Sequence, residues 1–182
     1  TDLLARAVLK DDTSVVVSHR VLHVDHQWLL TLQTLPDNQY TAGGPRALID
    51  GLEGGNDFRT GEWQGFWGEP CVATVDLGQV ESIQSIKLNA LQDIKPWIWS
   101  PGSVVFSASV DGETFEVLKR VESQLSERDE EVQVETFSCS ETIDARFVRV
   151  ETTSRGMIPE WHLGNGNPRW TFLDEIVVEI AD

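Results

Sequence analysis

The stretch SVVFSASVDGETFEVLKR, residues 103–120, decides the fold class of this chain. Apolar and polar residues alternate along its first half, which is the period of a β-strand with one buried face. That face carries Val104, Phe106, Ala108 and Val110. Asp111-Gly112 then forms a strong turn signal, and FEVLKR returns as a second strand. The stretch therefore predicts a β-hairpin.

Five further segments have strand character and are separated by loops rich in Gly, Pro and Asn. These segments are CVATVDLG (71–78), SIQSIKLNAL (82–91), EVQVETFS (131–138), ARFVRVETT (145–153) and DEIVVEIAD (174–182). A helical turn is expected only in GPRALIDG, residues 44–51. Many short strands joined by turns predict an all-β sandwich or barrel.

The first 25 residues have a strand–turn–strand pattern of their own, with the turn at Asp11-Asp12. A hairpin alone is marginally stable, so it either docks on the main domain or is the remnant of a neighbouring one. We expect residues 1–25 to be such a remnant, 26–35 to be a linker and 36–182 to be one complete domain. The chain does not begin with Met, and we expect it to be a piece of a longer protein.

The charge balance is acidic, with 30 Asp and Glu against 14 Lys and Arg and a formal net charge of −16. Nucleic acid and anionic membranes require a basic face, so they are poor partners, whereas a neutral ligand or a cation suits this surface. No apolar run approaches the roughly 20 residues of a membrane span. Cys71 and Cys139 match no metal or redox spacing, and we expect two buried free thiols.

Six of the seven tryptophans fall in three segments that have loop character. These segments are GEWQGFWGEP (61–70), QDIKPWIWSPG (92–102) and PEWHLGNGNPRWTF (159–172). If they meet at one end of a sandwich, their flat indole faces form a platform that suits the C–H face of a sugar ring. The alternative is that the indoles anchor the loops onto the sandwich, with their N–H groups bonded to backbone.

The candidate sugar contacts are two stacking rings and three hydrogen-bonding side chains. They are Trp97, Trp161, Gln64, His162 and Asn165. Trp63 and Trp170 are more consistent with a structural role. No catalytic arrangement stands out, because the acidic run 129–131 fits a solvated loop and His162, the only histidine beyond residue 26, has no cysteine near it. The sequence predicts a non-catalytic domain.

The motifs in combination resemble discoidin-type domains, also called coagulation factor type C domains, and within them family 32 carbohydrate-binding modules. The resemblance rests on the run from YTAGGPRALIDG to VESIQSI (40–86), on SVVFSASVDGETFEVL (103–118), on ARFVRVE (145–151) and on WTFLDEIVVEI (170–180). GGPRALIDG, WQGFWG, LQDIKPWIWSPG and PEWHLGNGNPRWTFLDEI are similar to the C-terminal module of bacterial chitobiase-like family 20 β-N-acetylhexosaminidases. Residues 1–25 resemble the last two strands of the small β-sandwich that follows the catalytic barrel in such enzymes.

This resemblance implies an antiparallel jelly-roll β-sandwich, preceded by the short hairpin, that binds a glycan and targets an attached hydrolase to it. It implies a terminal galactose or N-acetylglucosamine as ligand, the catalytic domain of the same chain as partner, a monomer, and a location outside the cytoplasm. The alternative is a structural module that docks on the parent enzyme. A membrane-binding discoidin domain is disfavoured by the acidic balance.

Discoidin-type modules commonly hold a structural calcium ion, which takes six to eight oxygen ligands. By resemblance the ligands here are the side chains of Asp50, Asp57, Thr60 and Glu175, with a backbone carbonyl such as that of Ala47. The chain departs from the common pattern because six residues separate the first two aspartates. The alternative is that these carboxylates cap turns and face water.

Overall fold

The computed structural model describes residues 2–5, 8–9, 12–14, 17–21 and 27–181. The strands of this part are β1 (Asp2–Ala5), β2 (Val8–Leu9), β3 (Asp12–Thr13), β4 (Val17–Val21), β5 (Leu29–Leu32), β6 (Leu52–Glu53), β7 (Gln64–Trp67), β8 (Val72–Gln92), β9 (Ser103–Ser109), β10 (Glu116–Glu122), β11 (Gln133–Cys139), β12 (Ile143–Thr152) and β13 (Trp170–Ile180). Two short 3-10 helices are Ala47–Ile49 and Phe58–Thr60. The predicted all-β class is confirmed.

Strand β8 connects the two layers of an antiparallel β-sandwich. The strand order is β10-β9-β12-β8-β13-β7, and β5 and β11 also pair with β8. The ladder between β8 and β12 is interrupted between Asp76 and Glu81, around Gly78 with φ +87°. The first half of β8 pairs with β5 and most of β12, and the second half pairs with β11 and β13. Two predicted strands are therefore one continuous strand.

The main core lies between these layers. Its buried side chains come from both halves of β8 and from β7, β9, β11, β12 and β13, and they include both cysteines, which are free thiols. The predicted β9–β10 hairpin forms, with Glu116 opposite Ala108. Val104, Phe106 and Ala108 are buried, but Val110 is 61% exposed because β9 ends one residue earlier.

A second apolar cluster covers the outer face of the layer that contains β7 and β13. Its buried members are Trp63, Leu91, Ile98 and Phe172, with Tyr40, Phe58 and Trp170 packed against them. The cause is the two-residue period of β13, which turns Trp170 and Phe172 outward and Leu173 into the main core. The outer face is thus rich in aromatic rings, several of them half-buried.

The structure differs from the prediction in two segments. GEWQGFWGEP has loop character in sequence, yet its residues 64–67 form β7 because β13 offers a free edge, with Trp67 opposite Trp170. The predicted linker 26–35 contains β5, whose backbone pairs with the first half of β8. The sandwich therefore begins before residue 36.

The amino-terminal hairpin is present as two antiparallel ladders, β1 with β4 and β2 with β3. The backbone of β4 also pairs with that of β6, with Arg20 opposite Glu53 and Val21 opposite Leu52 in the ladder. The predicted turn at Asp11-Asp12 falls partly on residues outside the described ones. Within the described residues, no helix has the length and hydropathy that crossing a bilayer requires.

Candidate functional site

The three tryptophan-rich segments meet at one end of β7 and β13. The amide of Gly68 donates to the Arg169 carbonyl at 3.0 Å, which joins the first segment to the third. The amide of Trp170 donates to the Trp97 carbonyl at 2.9 Å, and that of Trp99 donates to the Trp170 carbonyl at 3.0 Å. The expectation that these segments gather is confirmed.

A fourth segment, the polar loop around Glu127, is fastened to the same place. One carboxylate oxygen of Glu127 accepts from Arg169 at 3.0 Å and from Arg155 at 3.2 Å. The hydrogen bond from Arg169, which has the larger effect, and that from Arg155 hold the pKa of Glu127 below its usual value. The sequence predicts a solvated loop at the acidic run 129–131, and nothing in the spacing of this stretch indicates the two distant arginines.

Two tryptophans have the anchoring role that the sequence left open as an alternative. Trp63 and Trp99 are each 1% exposed. The indole N–H of Trp63 donates to the Gly55 carbonyl, and that of Trp99 donates to the Glu127 carbonyl, both at 3.0 Å. Neither ring is available to a ligand.

Trp97 lies in a half-buried aromatic group with Trp67 and Trp170. Its ring stacks on Trp67 at a centroid distance of 6.2 Å, and Trp67 contacts Trp170 at 4.6 Å. A Cβ atom on Gly164 would lie 2.6 Å from two atoms of the Trp97 ring, so the loop that contains Gly164 packs directly on it. Trp97 also has φ +74°, a left-handed conformation that is rare for a bulky residue. Its ring is fixed by packing.

Trp161 has a different environment. Of the seven tryptophans, all of which lie in the described residues, it alone is exposed, at 39%. The guanidinium of Arg128 lies 4.6 Å from its ring centroid, and His162 makes an edge contact at 5.7 Å. His162 in turn contacts buried Trp99 at 5.2 Å. The exposed indole is thus supported from beneath by a fixed pair of rings.

His162 and Asn165 lie on the same loop as Trp161. The amide of Gly164 donates to Nδ1 of His162 at 3.0 Å, so the neutral ring carries its proton on Nε2. The side chain of Asn165 is exposed and donates to the His162 carbonyl at 3.4 Å. The structure brings these two predicted residues together with Trp161.

Gln64 lies elsewhere. It is 1% exposed, and its side-chain amide donates to the carbonyls of Thr41 and Gly44 at 3.3 and 2.9 Å. The reason is strand periodicity, because Gln64 shares a face of β7 with core residue Phe66 while Trp67 faces the other way. Gln64 therefore fixes a turn and does not join Trp161. Sequence reasoning missed Arg128, which does, since an isolated arginine in an acidic run carries no signal.

The predicted metal residue Glu175 belongs to a buried acidic group. Asp174 and Glu175 are 0% and 3% exposed, and each has one oxygen without a hydrogen-bond partner among the described residues. Burial, reinforced by neighbouring acids, raises the pKa of each carboxyl to about 8. Glu175 also has a left-handed φ of +32°. This group is electrostatically unfavourable unless protons or a cation neutralise it.

Asp50 lies close to this group, whereas Thr60 is exposed and is linked to Asp50 only indirectly, through Glu62. The amide of Gly51 donates to Glu175 at 3.1 Å, and the charge of Asp50 acts on both buried carboxyls. The Thr60 hydroxyl donates to Glu62. The pKa of Asp50 is raised mainly by its own partial burial and, to a smaller extent, by the charge of Glu62. The helix that begins with Ala47 packs against β13.

Asp57 is not brought to the group, because its carboxylate is exposed and paired with Arg59 at 2.8 Å. Within the described part of the chain, no three His, Cys, Asp or Glu side chains are arranged to hold a metal ion. Of the predicted ligands, Glu175 belongs to the buried acidic group and the charge of Asp50 acts on it, while Asp174 is a further buried carboxylate for which the sequence carries no signal.

The comparisons with known proteins identify the family. Residues 33–172 match the F5/8 type C domain, and the chain belongs to this family. The predicted resemblance to coagulation factor type C domains is therefore confirmed. No curated protein sequence matches the chain.

Solved structures with the same fold include carbohydrate-binding modules. A fucose-binding module of Streptococcus pneumoniae is 18% identical, with a TM-score of 0.55 over 87% of this chain and 94% of the module. CpGH89CBM32-5 from Clostridium perfringens, solved with GalNAc-β-1,3-galactose, is 14% identical, with a TM-score of 0.52 over 83% and 94%. CBM32-3 from a family 31 glycoside hydrolase of the same organism is 13% identical, with a TM-score of 0.52 over 85% and 92%. These likenesses concern the fold.

Proposed function

We propose that this chain is a non-catalytic glycan-binding module whose site is the loop around Trp161. The observation that carries the proposal is the exposure of this one indole beside Arg128 and His162 on a rigid support. An exposed large aromatic ring loses hydration when a sugar covers it, and the adjacent N–H donors orient the hydroxyl groups. A fucose-binding module and a module solved with GalNAc-β-1,3-galactose share this fold, which supports glycan binding as the function.

The residues divide the work between apolar contact and hydrogen bonding. The indole of Trp161 provides the apolar surface, while the Nε2–H of His162, the amide of Asn165 and the guanidinium of Arg128 serve sugar oxygens. Arg128 lies against the indole, so a sugar on this ring contacts both groups. We expect millimolar affinity for one sugar, about −4 kcal/mol, because few contacts must offset the cost of association.

We propose galactose or N-acetylglucosamine as the terminal sugar and a bacterial chitobiase-like β-N-acetylhexosaminidase as the parent enzyme. In that setting the module is monomeric, acts outside the cytoplasm and keeps the catalytic domain of the same chain near its substrate. Its benefit is a raised effective concentration, so weak single-site binding is sufficient on a polymer. The sequence resemblance supports these finer assignments.

We also propose that a calcium ion neutralises the buried acidic group. Asp50 and Glu175 are the side-chain ligands that fit best, because the Gly51 amide next to Asp50 donates to Glu175 and the charge of Asp50 acts on the Glu175 carboxyl. Asp174, the neighbour of Glu175 in sequence, has one oxygen without a hydrogen-bond partner among the described residues. The carbonyl of Ala47 and the hydroxyl of Thr60 complete the predicted set. The ion would supply positive charge that holds these carboxylates ionised, and its role is structural.

Affinity electrophoresis through gels that contain chitin- or galactan-derived polymer tests the sugar proposal. Migration of the wild-type chain should be retarded, and Trp161→Ala should abolish most of the retardation with little change in folding. Val117→Ala is the control, since Val117 on β10 is an apolar residue that is 62% exposed, against 39% for Trp161. Equal retardation of Trp161→Ala and wild type would contradict the proposed site.

A docking module is the second candidate, and one observation favours it. Leu163 is fully exposed and Met157 is 54% exposed on the same loop as Trp161, which is an apolar surface of the kind that binds protein. In this alternative the loop contacts the parent's catalytic domain. Loss of that contact in Leu163→Ala, with no sugar binding by the wild type, would favour it.

A further inference from the structure

A cavity of about 530 Å³ opens beside the outer aromatic face, away from Trp161. Two half-buried aromatic side chains, Tyr40 and Phe58, line it, and the buried Trp63 also borders it. Gln39 and Arg59 also line it and are exposed at its rim. Apolar rings with a few polar groups around them are the usual composition of a small-molecule site.

The aromatic part of this cavity is preorganised. Tyr40 contacts Phe172 at a centroid distance of 4.8 Å and Phe58 at 5.9 Å, while Phe58 contacts Phe172 at 5.5 Å. Trp63 is held by its bond to the Gly55 carbonyl. A ligand would therefore contact the Tyr40 and Phe58 rings, which lose little freedom on binding, and this lowers the cost of association.

The polar groups at the rim have donors to spare. Arg59 uses Nε in its 2.8 Å pair with Asp57, which leaves its two terminal nitrogens for a ligand. Gln39 donates to the Tyr40 hydroxyl at 3.0 Å, so the hydroxyl's own proton remains available. These donors suit the oxygens of a neutral sugar.

A row of aromatic contacts joins the cavity to the Trp161 loop. Tyr40 contacts Trp170 at 5.2 Å, Trp170 contacts Trp67 at 4.6 Å, and Trp67 stacks on Trp97 at 6.2 Å. All four rings are half-buried, so each keeps some surface toward solvent. Trp97 then touches Gly164 in the loop that carries Trp161.

We propose that the cavity at Tyr40, Phe58 and Arg59 is a second carbohydrate subsite, and that the ligand is an oligosaccharide chain lying along the aromatic row. This inference rests on the proposed glycan-binding function. A chain of sugars presents alternating apolar faces and hydroxyl edges, which match the row and the rim donors. The Trp161 loop holds one end of the chain and the cavity holds another unit.

Calorimetric titration with β-1,4-linked N-acetylglucosamine oligomers of one to four units tests the inference. Affinity should rise at least about tenfold from monomer to tetramer, as one added set of hydrogen bonds and ring contacts requires. Arg59→Gln and Tyr40→Phe should each remove most of this gain and leave monomer affinity unchanged. Arg46→Gln, an exposed arginine outside the cavity, should bind like wild type.

The outcomes separate this inference from the function on which it rests. Affinity that is constant with chain length, or tetramer binding by Arg59→Gln and Tyr40→Phe equal to that of Arg46→Gln, would overturn the second subsite and leave the Trp161 site standing. Absence of binding by every oligomer and by galactose, titrated in the same way, would overturn both. Thermal melting of each variant verifies that the conservative changes leave the domain folded.

Discussion

Gly164→Ala should destabilise the domain because Gly164 packs against the Trp97 ring. The added Cβ would lie 2.6 Å from Cε2 and Nε1 of Trp97 and 3.1 Å from Ile158, whereas ordinary contact begins near 3.4 Å. The indole would have to move by about 0.8 Å, yet it stacks on Trp67, which packs on Trp170. Overpacking of this kind typically costs about 1–3 kcal/mol.

Urea unfolding followed by tryptophan fluorescence measures this loss of unfolding free energy, since the Trp97 indole itself contributes to the signal. For a domain of this size each kcal/mol lowers the melting temperature by roughly 2–4 °C. Gly55→Ala is the matched control, because its Cβ would meet nothing within 4 Å, and its free energy of unfolding should change by less than about 1 kcal/mol. Equal midpoints for the two variants would refute the packing of the loop on Trp97.

Two further predictions concern charge. Glu127→Gln should lower the free energy of unfolding by about 1–3 kcal/mol, because it removes the carboxylate that Arg155 and Arg169 share. The control is Glu130→Gln, which removes a solvent-exposed pair with Lys95 and should cost less than about 1 kcal/mol. Urea unfolding measures both variants, and equal losses of stability would contradict the prediction. Because the pKa values of Asp174 and Glu175 are raised to about 8, the folded state holds protons that the unfolded state releases near pH 4. In the presence of EDTA, the protein should therefore lose stability as pH rises from about 4 through 8, and added calcium should restore that stability. Thermal melting curves recorded with EDTA and with calcium across this pH range measure the effect. Identical curves under the two conditions would contradict the bound cation.

The sequence predicted the fold where side-chain periodicity matches burial. The alternation in residues 103–109 and the Asp111-Gly112 turn correspond to the β9–β10 hairpin. The sequence prediction is wrong for residues 64–67, where a segment rich in Gly and Trp pairs with the free edge of β13 and becomes a strand. Such pairing depends on a partner about a hundred residues away, and local propensity does not contain it.

The candidate site was predicted in part for the same reason. Trp161, His162 and Asn165 lie within one loop, so the local sequence groups them correctly. Gln64 was misplaced because its direction depends on the register of β7, which the loop assignment did not provide. Arg128 was missed because only the tertiary contact with Trp161 gives it significance.

In the proposed function, Trp161 is the ring that binds sugar. Nitrogen-15 NMR of the indole N–H signals during titration with galactose and with N-acetylglucosamine, up to high millimolar concentration, tests it most directly. We expect a saturable shift of the Trp161 signal, with the buried Trp63 and Trp99 signals unchanged, and no saturable shift of any indole in Trp161→Ala. Absence of any shift at Trp161, or the same shifts in the variant, would show that Trp161 does not bind the sugar.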